Sequence, residues 1–391
     1  MSAARRHRDF LGVSQPTIGE AEQQEVLAVL QSGWVIAGPR VGRLEHELAS
    51  YLGVEYIRAL SSCTAGLLLG LRLAGVQRDD EVLLPANTFI ACANVVEQAG
   101  ARPVLVDCDP STGLIDLDQA DAMVGPRTRA LMPVHLGGRP LDMDELSDLR
   151  DRHQLAIIED AAHAIGAHWD GRSIGAHGNL VSFSFHAAKN MTTIEGGALV
   201  VRSAEDATRV ERLAVQGLSR SSWYRHGVTG PADYDVIEPG FKLRMSDVAA
   251  AIGVHQLSRL EGWLARREAL ARRYDERLAG LPLELAPALP GHARHARHLY
   301  AVKIGRDAPI DRDEVIRRLA DHNIGTSVHF QGIHRQSFFR ERYGLRDRDL
   351  PHATDWALRS LSLPLHPGVS DADQDDVIGV LAEALEGTGR T

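Results

Sequence analysis

Lys189, Asp160 and Thr64 are the residues of this 391-residue chain whose types and surroundings best suit chemistry. Lysine is scarce: Lys189, Lys242 and Lys303 are the only three, and arginine supplies the rest of the 43 basic side chains. Where arginine covers surface charge, a lysine is worth keeping for a removable proton or a primary amine, because guanidinium does not deprotonate at working pH. Lys303, in Tyr300-Ala301-Val302-Lys303-Ile304, reads as part of an ordinary strand. Lys189 ends Ser182-Phe183-Ser184-Phe185-His186-Ala187-Ala188-Lys189, an alternating segment after which Glu195-Gly196-Gly197 turns the chain back. Asp160 follows the apolar run Leu155 to Ile158, which has the length of a buried strand, so its carboxylate is aimed at the crevice beyond a sheet; the simpler reading is that Asp160 or Glu159 caps a following helix. Thr64 belongs to Ser61-Ser62-Cys63-Thr64-Ala65-Gly66, between a predicted strand and a predicted helix. Backbone N–H groups and the helix dipole favour a phosphate there, although serine and threonine also serve as plain N-caps.

A phosphate cradle, an acid beyond a sheet strand and a primary amine are together what pyridoxal 5'-phosphate requires. The amine forms a Schiff base with the cofactor aldehyde, and the carboxylate keeps the pyridine nitrogen protonated so that the ring draws electrons. At about 4 Å and an effective dielectric of about 20, that ion pair is worth about 4 kcal/mol. Its complete loss from the transition state would slow the reaction on the order of a thousandfold.

The elements that must position these groups are legible as alternation. Glu20 to Leu30 and Val41 to Leu52 are predicted helices; Tyr56 to Leu60 is a predicted strand, Ser61 to Thr64 a turn and Ala65 to Leu73 a helix. Short apolar runs at Glu81 to Leu84, Pro103 to Val106, Ala130 to Val134 and Ala156 to Ile158 predict buried strands separated by helices, and Gly196 to Val201 another strand. This is an α/β chain, predicted as a mostly parallel sheet between two helical layers. A long helix from about Leu257 to Leu278, followed by Pro282, Pro287 and Pro290, leads to a smaller C-terminal α+β region; the expected division is 1–258 and 259–391. A net charge of -9 and the lack of a basic stripe argue against nucleic acid or an anionic membrane as partner. Cys63, Cys92 and Cys108 lack metal-ligand spacing and read as reduced thiols in a cytoplasmic protein, with no metal expected. Met1 to Arg8 is basic without the apolar core of a secretory signal, and the most apolar segment, Leu67 to Val76, is interrupted by Arg72.

The chain also resembles the DegT/DnrJ/EryC1/StrS sugar aminotransferases, which have the aspartate aminotransferase fold (type I). The likeness runs through Ser32-Gly33-Trp34 with Gly38-Pro39, Ser62 to Ala65, Pro85 to Phe89, His135 to Gly138 with Asp142-Met143-Asp144, Glu159 to Ala164, Phe183 to His186 with Lys189-Asn190 and Glu195 to Gly197, Gly240 to Met245, and Ser327 to Phe330. The resemblance implies Lys189 as the Schiff-base lysine and Asp160 as the partner of the pyridine nitrogen. His163 would lie beside the phenolic oxygen and Phe89 would stack on the ring. Thr64, Ala65 and Ser184, with Cys63 in the same loop, would hold the phosphate. Lys242 matches a position that reaches the cofactor phosphate of a neighbouring subunit, which implies a homodimer with shared sites. His186 and His329 match the substrate pocket. The chain departs from its relatives where Cys63 replaces a glycine, where Ile194 replaces the glycine before Glu-Gly-Gly, and where Gln331-Gly332 interrupts the segment after Val-His-Phe.

The implied reaction is ping-pong transamination from glutamate or glutamine to a ketosugar, with Lys189 moving the proton. Val236 to Pro239 and Gly240 to Asp247 look most like members acting at C4 of nucleotide-linked 4-keto-6-deoxyhexoses. Other readings are amination at C3 or of a ketocyclitol, a sugar dehydratase, which would carry histidine in place of Lys189, and a non-catalytic regulator on the same scaffold, which would tolerate loss of Lys189 and Asp160.

Overall fold

The computed structural model describes residues 9–219 and 235–386; Met1 to Arg8, read above for a targeting signal, lie outside them. Two helices open the described chain, α1 (Glu20–Ser32) and α2 (Pro39–Leu52). Pro39 suits the first turn of α2, where its missing N–H has no intrahelical role, and Gly53 ends the helix in the left-handed conformation. Val41, Leu44, Leu48 and Leu52 recur at helical spacing and are buried.

The strands and helices of the central layer follow in alternation. They are β1 (Tyr56–Leu60), α3 (Cys63–Leu73), β2 (Glu81–Pro85), α4 (Ala91–Gln98), β3 (Arg102–Val106), α5 (Leu117–Ala122), β4 (Thr128–Leu131), α6 (Met143–His153) and β5 (Ala156–Asp160). The short β6 (His168–Trp169) and β7 (Arg172–Ser173) precede β8 (Leu180–Ser184), β9 (Gly197–Val201) and α7 (Ala204–Leu213). The main sheet has the order β1-β9-β8-β5-β4-β2-β3. Only β9 runs against its neighbours, β1 and β8; the pairings β8 to β5, β5 to β4, β4 to β2 and β2 to β3 are parallel. The carboxyl ends of β1, β2, β4, β5 and β8 therefore share one edge, where β9 begins. This edge lies above a sheet whose order departs from chain order, the place where open α/β sheets bind ligands.

Side chains alternate between two apolar layers, which makes the molecule three-layered. Ile157, Val181, Phe183, Ala198 and Val200 join the cluster that includes Leu44, Leu48 and Leu264; Ile158, Leu180, Leu199 and Val201 join the one that includes Leu67, Leu69 and Leu71.

After α7 the chain reaches α8 (Asp247–Leu278), a continuous 32-residue helix. It begins ten residues before the predicted start, because Ser246 caps it by accepting the Ala249 N–H, and the expected division at 258/259 falls inside it. Beyond it come β10 (Leu283–Leu285), β11 (Ala293–Arg294), β12 (Tyr300–Ile304), α9 (Arg312–Asp321), α10 (Ser337–Tyr343), α11 (Pro351–Arg359), β13 (Ser360–Leu363) and α12 (Asp371–Glu386). A small antiparallel sheet of order β10-β12-β13 packs in a third apolar cluster with Leu270, Tyr274, Leu319 and Leu381. Lys303 sits in β12 as expected, buried, and its ammonium is held by Pro110 O at 2.7 Å, Glu284 at 2.8 Å and Asp355 at 3.5 Å. Among the described residues, no helix is long and apolar enough to cross a membrane.

Candidate active site

The sequence expectation of a turn at Ser61 to Thr64 is corrected by the structure: α3 begins at Cys63. Ser62 has extended backbone and its Oγ accepts the Ala65 N–H at 3.1 Å. With that donor taken, the N–H groups of Cys63 and Thr64 are the first-turn donors with no intrahelical acceptor. The cradle is fixed from behind. Ser182 in β8 donates to Cys63 O at 2.9 Å, and a Cβ at Gly197 would fall 2.4 Å from the carbonyl carbon of Ser62. The first residue of β9 is thus a glycine because the backbone entering α3 passes directly over it. Ser184, at the end of β8, is buried, and its Oγ accepts the His186 N–H at 3.4 Å.

Asp160 ends β5 on the same edge and is buried. The chain beyond it forms turns instead of the helix expected there, so its carboxylate caps no helix; Oδ1 accepts the Ala162 N–H at 2.9 Å. Glu159 points to the opposite face. It accepts from His135 Nε2 at 2.8 Å and Asn179 Nδ2 at 2.6 Å, while His135 Nδ1 accepts the Leu141 N–H, so Glu159 serves the core. Lys189 lies in the loop between β8 and β9, where burial lowers its pKa and the charge of Asp160 opposes that shift. Lowering makes the free amine accessible nearer neutrality, as a nucleophile or base requires.

Aromatic rings form one wall. Phe89 follows β2 and remains 56% exposed, 5.8 Å from Phe330 between ring centroids. Phe330 lies nearly parallel to His163 at 6.1 Å, and His298 approaches His163 to 4.3 Å. His163 Nδ1 accepts the Gly137 N–H at 3.1 Å, which puts the ring proton on Nε2 and makes that nitrogen a donor. His298 Nδ1 lies 3.2 Å from Asn190 Oδ1, and His329 Nδ1 lies 2.9 Å from Ser362 Oγ. Burial first, then the Lys189 charge, pushes His163 well below its ordinary value and His329 down to about 4; for His298, burial is followed by His163. A cleft of about 720 Å³ opens beside His329, lined also by Gly137, Arg139, Arg297, Tyr300 and Trp356.

The structure thus brings Cys63, Phe89, Asp160, His163, Lys189 and His329 around one crevice, with Thr64, Ala65 and Ser184 on its rim. His186 stands apart from the ring stack: its side chain is half exposed and its Nε2 is 3.8 Å from Glu195. Lys242 is exposed on a segment that bridges to Val215, and Leu243 O accepts the Ser61 N–H at 2.7 Å. Ile194 has φ 71°, which explains why glycine suits this position; a β-branched residue there costs roughly 1–2 kcal/mol. Reading the sequence missed His298, Phe330 and Cys92, none of which differs in local pattern from the other histidines, core aromatics and thiols. Among the described residues, no group of three or more His, Cys, Asp or Glu could hold a metal.

The residues present fit pyridoxal phosphate by their donor set: N–H groups without intrahelical acceptors at a helix start, a buried carboxylate, a half-buried amine and an exposed ring beside them. The histidines carry a consequence for stability. His329 titrates near 6.5 when unfolded and near 4 when folded, so across that interval the unfolded chain binds more protons. Stability then rises with pH and is lost as pH falls, by about 1.4 kcal/mol per unit for each such histidine. The denaturant midpoint of the cofactor-free protein is expected to drop between pH 7 and 5, and His329→Gln is expected to flatten that dependence. An unchanged slope in the variant would contradict the burial account.

A family model for the DegT/DnrJ/EryC1/StrS aminotransferase family matches residues 16–382. The spore coat polysaccharide biosynthesis protein SpsC of Bacillus subtilis is 40% identical over 384 residues, 98% of this chain and 99% of that protein. Among solved structures, Spr1654 of Streptococcus pneumoniae in its PLP form superposes with a TM-score of 0.90 at 30% identity, over 96% of this chain and 99% of that one. The sugar aminotransferase CalS13 of Micromonospora echinospora gives 0.86 at 30% identity, over 95% and 99%. The chain is a pyridoxal phosphate-dependent sugar aminotransferase and belongs to the DegT/DnrJ/EryC1/StrS aminotransferase family.

Proposed function

We propose that the protein moves an amino group from glutamate or glutamine to the keto carbon of a nucleotide-linked 4-keto-6-deoxysugar. The observation that carries this reading is the half-buried amine of Lys189 at the sheet edge, its pKa lowered by desolvation, with the charge of the buried Asp160 carboxylate acting on it. When bound, the cofactor supplies an aldehyde to carry the amino group and a ring that accepts electron density. Asp160 would face the ring nitrogen and keep it protonated. The N–H groups of Cys63 and Thr64, at the start of α3, and the hydroxyls of Thr64 and Ser184 would hold the phosphate, with Ala65, whose N–H is taken by Ser62, packed beside them. Phe89 covers the ring, and His163 donates from Nε2 to the phenolic oxygen. With its Nζ unprotonated, Lys189 would take the proton from the donor's α-carbon and deliver it to the carbon of the cofactor that carried the aldehyde. Water would supply the oxygen with which the donor leaves as a keto acid, and in the second half the sugar's carbonyl oxygen would leave as water as the nitrogen is delivered to that carbon.

His329 and His186 contact the sugar in this reading. The cleft beside His329 is lined by Arg139, Arg272, Arg294 and Arg297 against Glu268 and Asp275; Arg297 pairs with Glu268 and Arg139 bonds the Pro287 carbonyl, and the excess of arginine suits an anionic substrate such as a nucleotide-linked sugar. Exposed Lys242 reaches the cofactor phosphate of a second copy, which makes the working form a homodimer with two shared sites. The reduced thiols and the enzyme class fit a cytoplasmic setting.

Two experiments test this reading. The pyridoxamine form, presented with a panel of nucleotide-linked 4-keto and 3-keto hexoses and free ketocyclitols, is expected to return to the pyridoxal form fastest with a 4-keto-6-deoxy member. Faster conversion by a 3-keto sugar or a cyclitol would move the substrate assignment to that class. Mixing inactive Lys189→Ala with impaired Lys242→Ala is expected to restore activity as subunits exchange, because one heterodimer site then carries neither lesion. Subunit exchange without recovery would place Lys242 in its own chain's site.

A further inference from the structure

The two oxygens of Asp160 meet different donors. Oδ1 accepts the Ala162 N–H at 2.9 Å and has Cys63 Sγ at 3.7 Å; Oδ2 has Cys92 Sγ at 3.0 Å. Cys63 carries a single proton, and its nearer acceptor is Ser182 O at 3.4 Å, so this thiol packs beside the carboxylate and serves the strand. Cys92 also carries one proton. An ionised carboxylate only accepts, so the 3.0 Å contact is donation of the Cys92 S–H to Oδ2. Thr88 Oγ1 lies 3.5 Å from Cys92 Sγ, and with the thiol proton directed at Asp160 the threonine hydroxyl is the donor of that contact. Cys92 is wholly buried and Thr88 nearly so, which leaves no place for water to substitute for the thiol. Burial and then the Asp160 charge push the Cys92 thiol well above its ordinary range, so it remains a protonated donor and not a nucleophile.

We propose that Cys92 is a positioning residue for amino transfer: its S–H fixes Oδ2 of Asp160, so that the carboxylate presents one orientation and a moderated charge to the cofactor's ring nitrogen. Thr88 orients the sulfur from behind. The inference rests on the role of Asp160 proposed above. Two parts of the fold form the chain, Thr88 and Cys92 at the entry to α4 and Asp160 at the end of β5. The geometry gives the thiol a task that packing alone does not. A carboxylate robbed of a charge-assisted donor becomes a stronger base and draws the ring proton toward itself. The ring then withdraws fewer electrons, and the nitrogen that joins Lys189 to the cofactor holds its own proton more tightly.

The test is a pH titration of the visible absorbance of the cofactor-loaded protein in wild type, Cys92→Ala, Cys92→Ser, Thr88→Val and Asp160→Asn. Cys92→Ala is expected to raise the midpoint by about half to one pH unit and to weaken cofactor retention severalfold. Cys92→Ser, which keeps a donor, is expected to return the midpoint most of the way, and Thr88→Val to raise it by a smaller amount. A purely structural thiol would leave all these midpoints at the wild-type value while lowering thermal stability, and that result overturns the proposal. Failure of the underlying role of Asp160 looks different, because Asp160→Asn would then also leave the midpoint unmoved. Should Cys92→Ala not fold, the S–H stretching band of cofactor-free wild type, assigned by difference against Cys92→Ser, decides the matter. A hydrogen-bonded frequency for Cys92 supports the proposal, and that of a free thiol overturns it.

Discussion

The structure depends on keeping an ammonium and a carboxylate together in a place where neither is well solvated. Desolvation lowers the pKa of Lys189, and the charge of Asp160 opposes that shift. The arrangement is possible because β5 and β8 are parallel neighbours, which sets Asp160 and the loop that carries Lys189 at the same edge of the sheet. Reversal of β9 then returns the chain against β8, and Gly197 passes under the backbone that starts α3. The amine, the acid and the phosphate cradle are thereby positioned by backbone hydrogen bonding and not by flexible side chains. Rigid placement of this kind is what catalysis by orientation requires.

The same crevice shows why the three lysines have different fates. Lys303 is the more deeply buried, and Glu284, Asp355 and a carbonyl hold its ammonium as an internal tie between β12 and its surroundings. Lys189 has one carboxylate nearby and neutral histidines on its other side, an incomplete compensation that suits a group meant to change protonation. Histidines that burial keeps neutral add no competing positive charge beside the amine.

Much of this could be read from the sequence, for identifiable reasons. Short apolar runs located β2, β3 and β5 to within a residue or two because their polar residues stand at the strand ends; β1 was legible despite Arg58 at its centre. Lys189 and Asp160 stood out because each follows such a run, and the sheet edge joins them whatever lies between. Boundaries set by single caps were less legible: Ser62 starts α3 two residues before the predicted helix, and Ser246 starts α8 well before its apolar stripe becomes regular. The segment after Asp160 reads as a helix start, yet it turns, since its polar groups are satisfied by Gly137 and the Asp160 carboxylate. His298, Phe330 and Cys92 were illegible because their importance comes entirely from partners far away in the chain, Asn190, His163 and Asp160. The departures at Ile194 and at Gln331-Gly332 fall in loops outside the sheet, where sequence change leaves the strands undisturbed.

The central claim is that Lys189, and neither of the other two lysines, carries the cofactor. Borohydride reduction of the purified protein followed by peptide mapping tests it directly. The account predicts a single stable cofactor adduct in the peptide containing Phe183 to Asn190, on Lys189, with loss of the visible absorbance. An adduct on Lys242 or Lys303, or a reduced protein whose cofactor dialyses away, would contradict it.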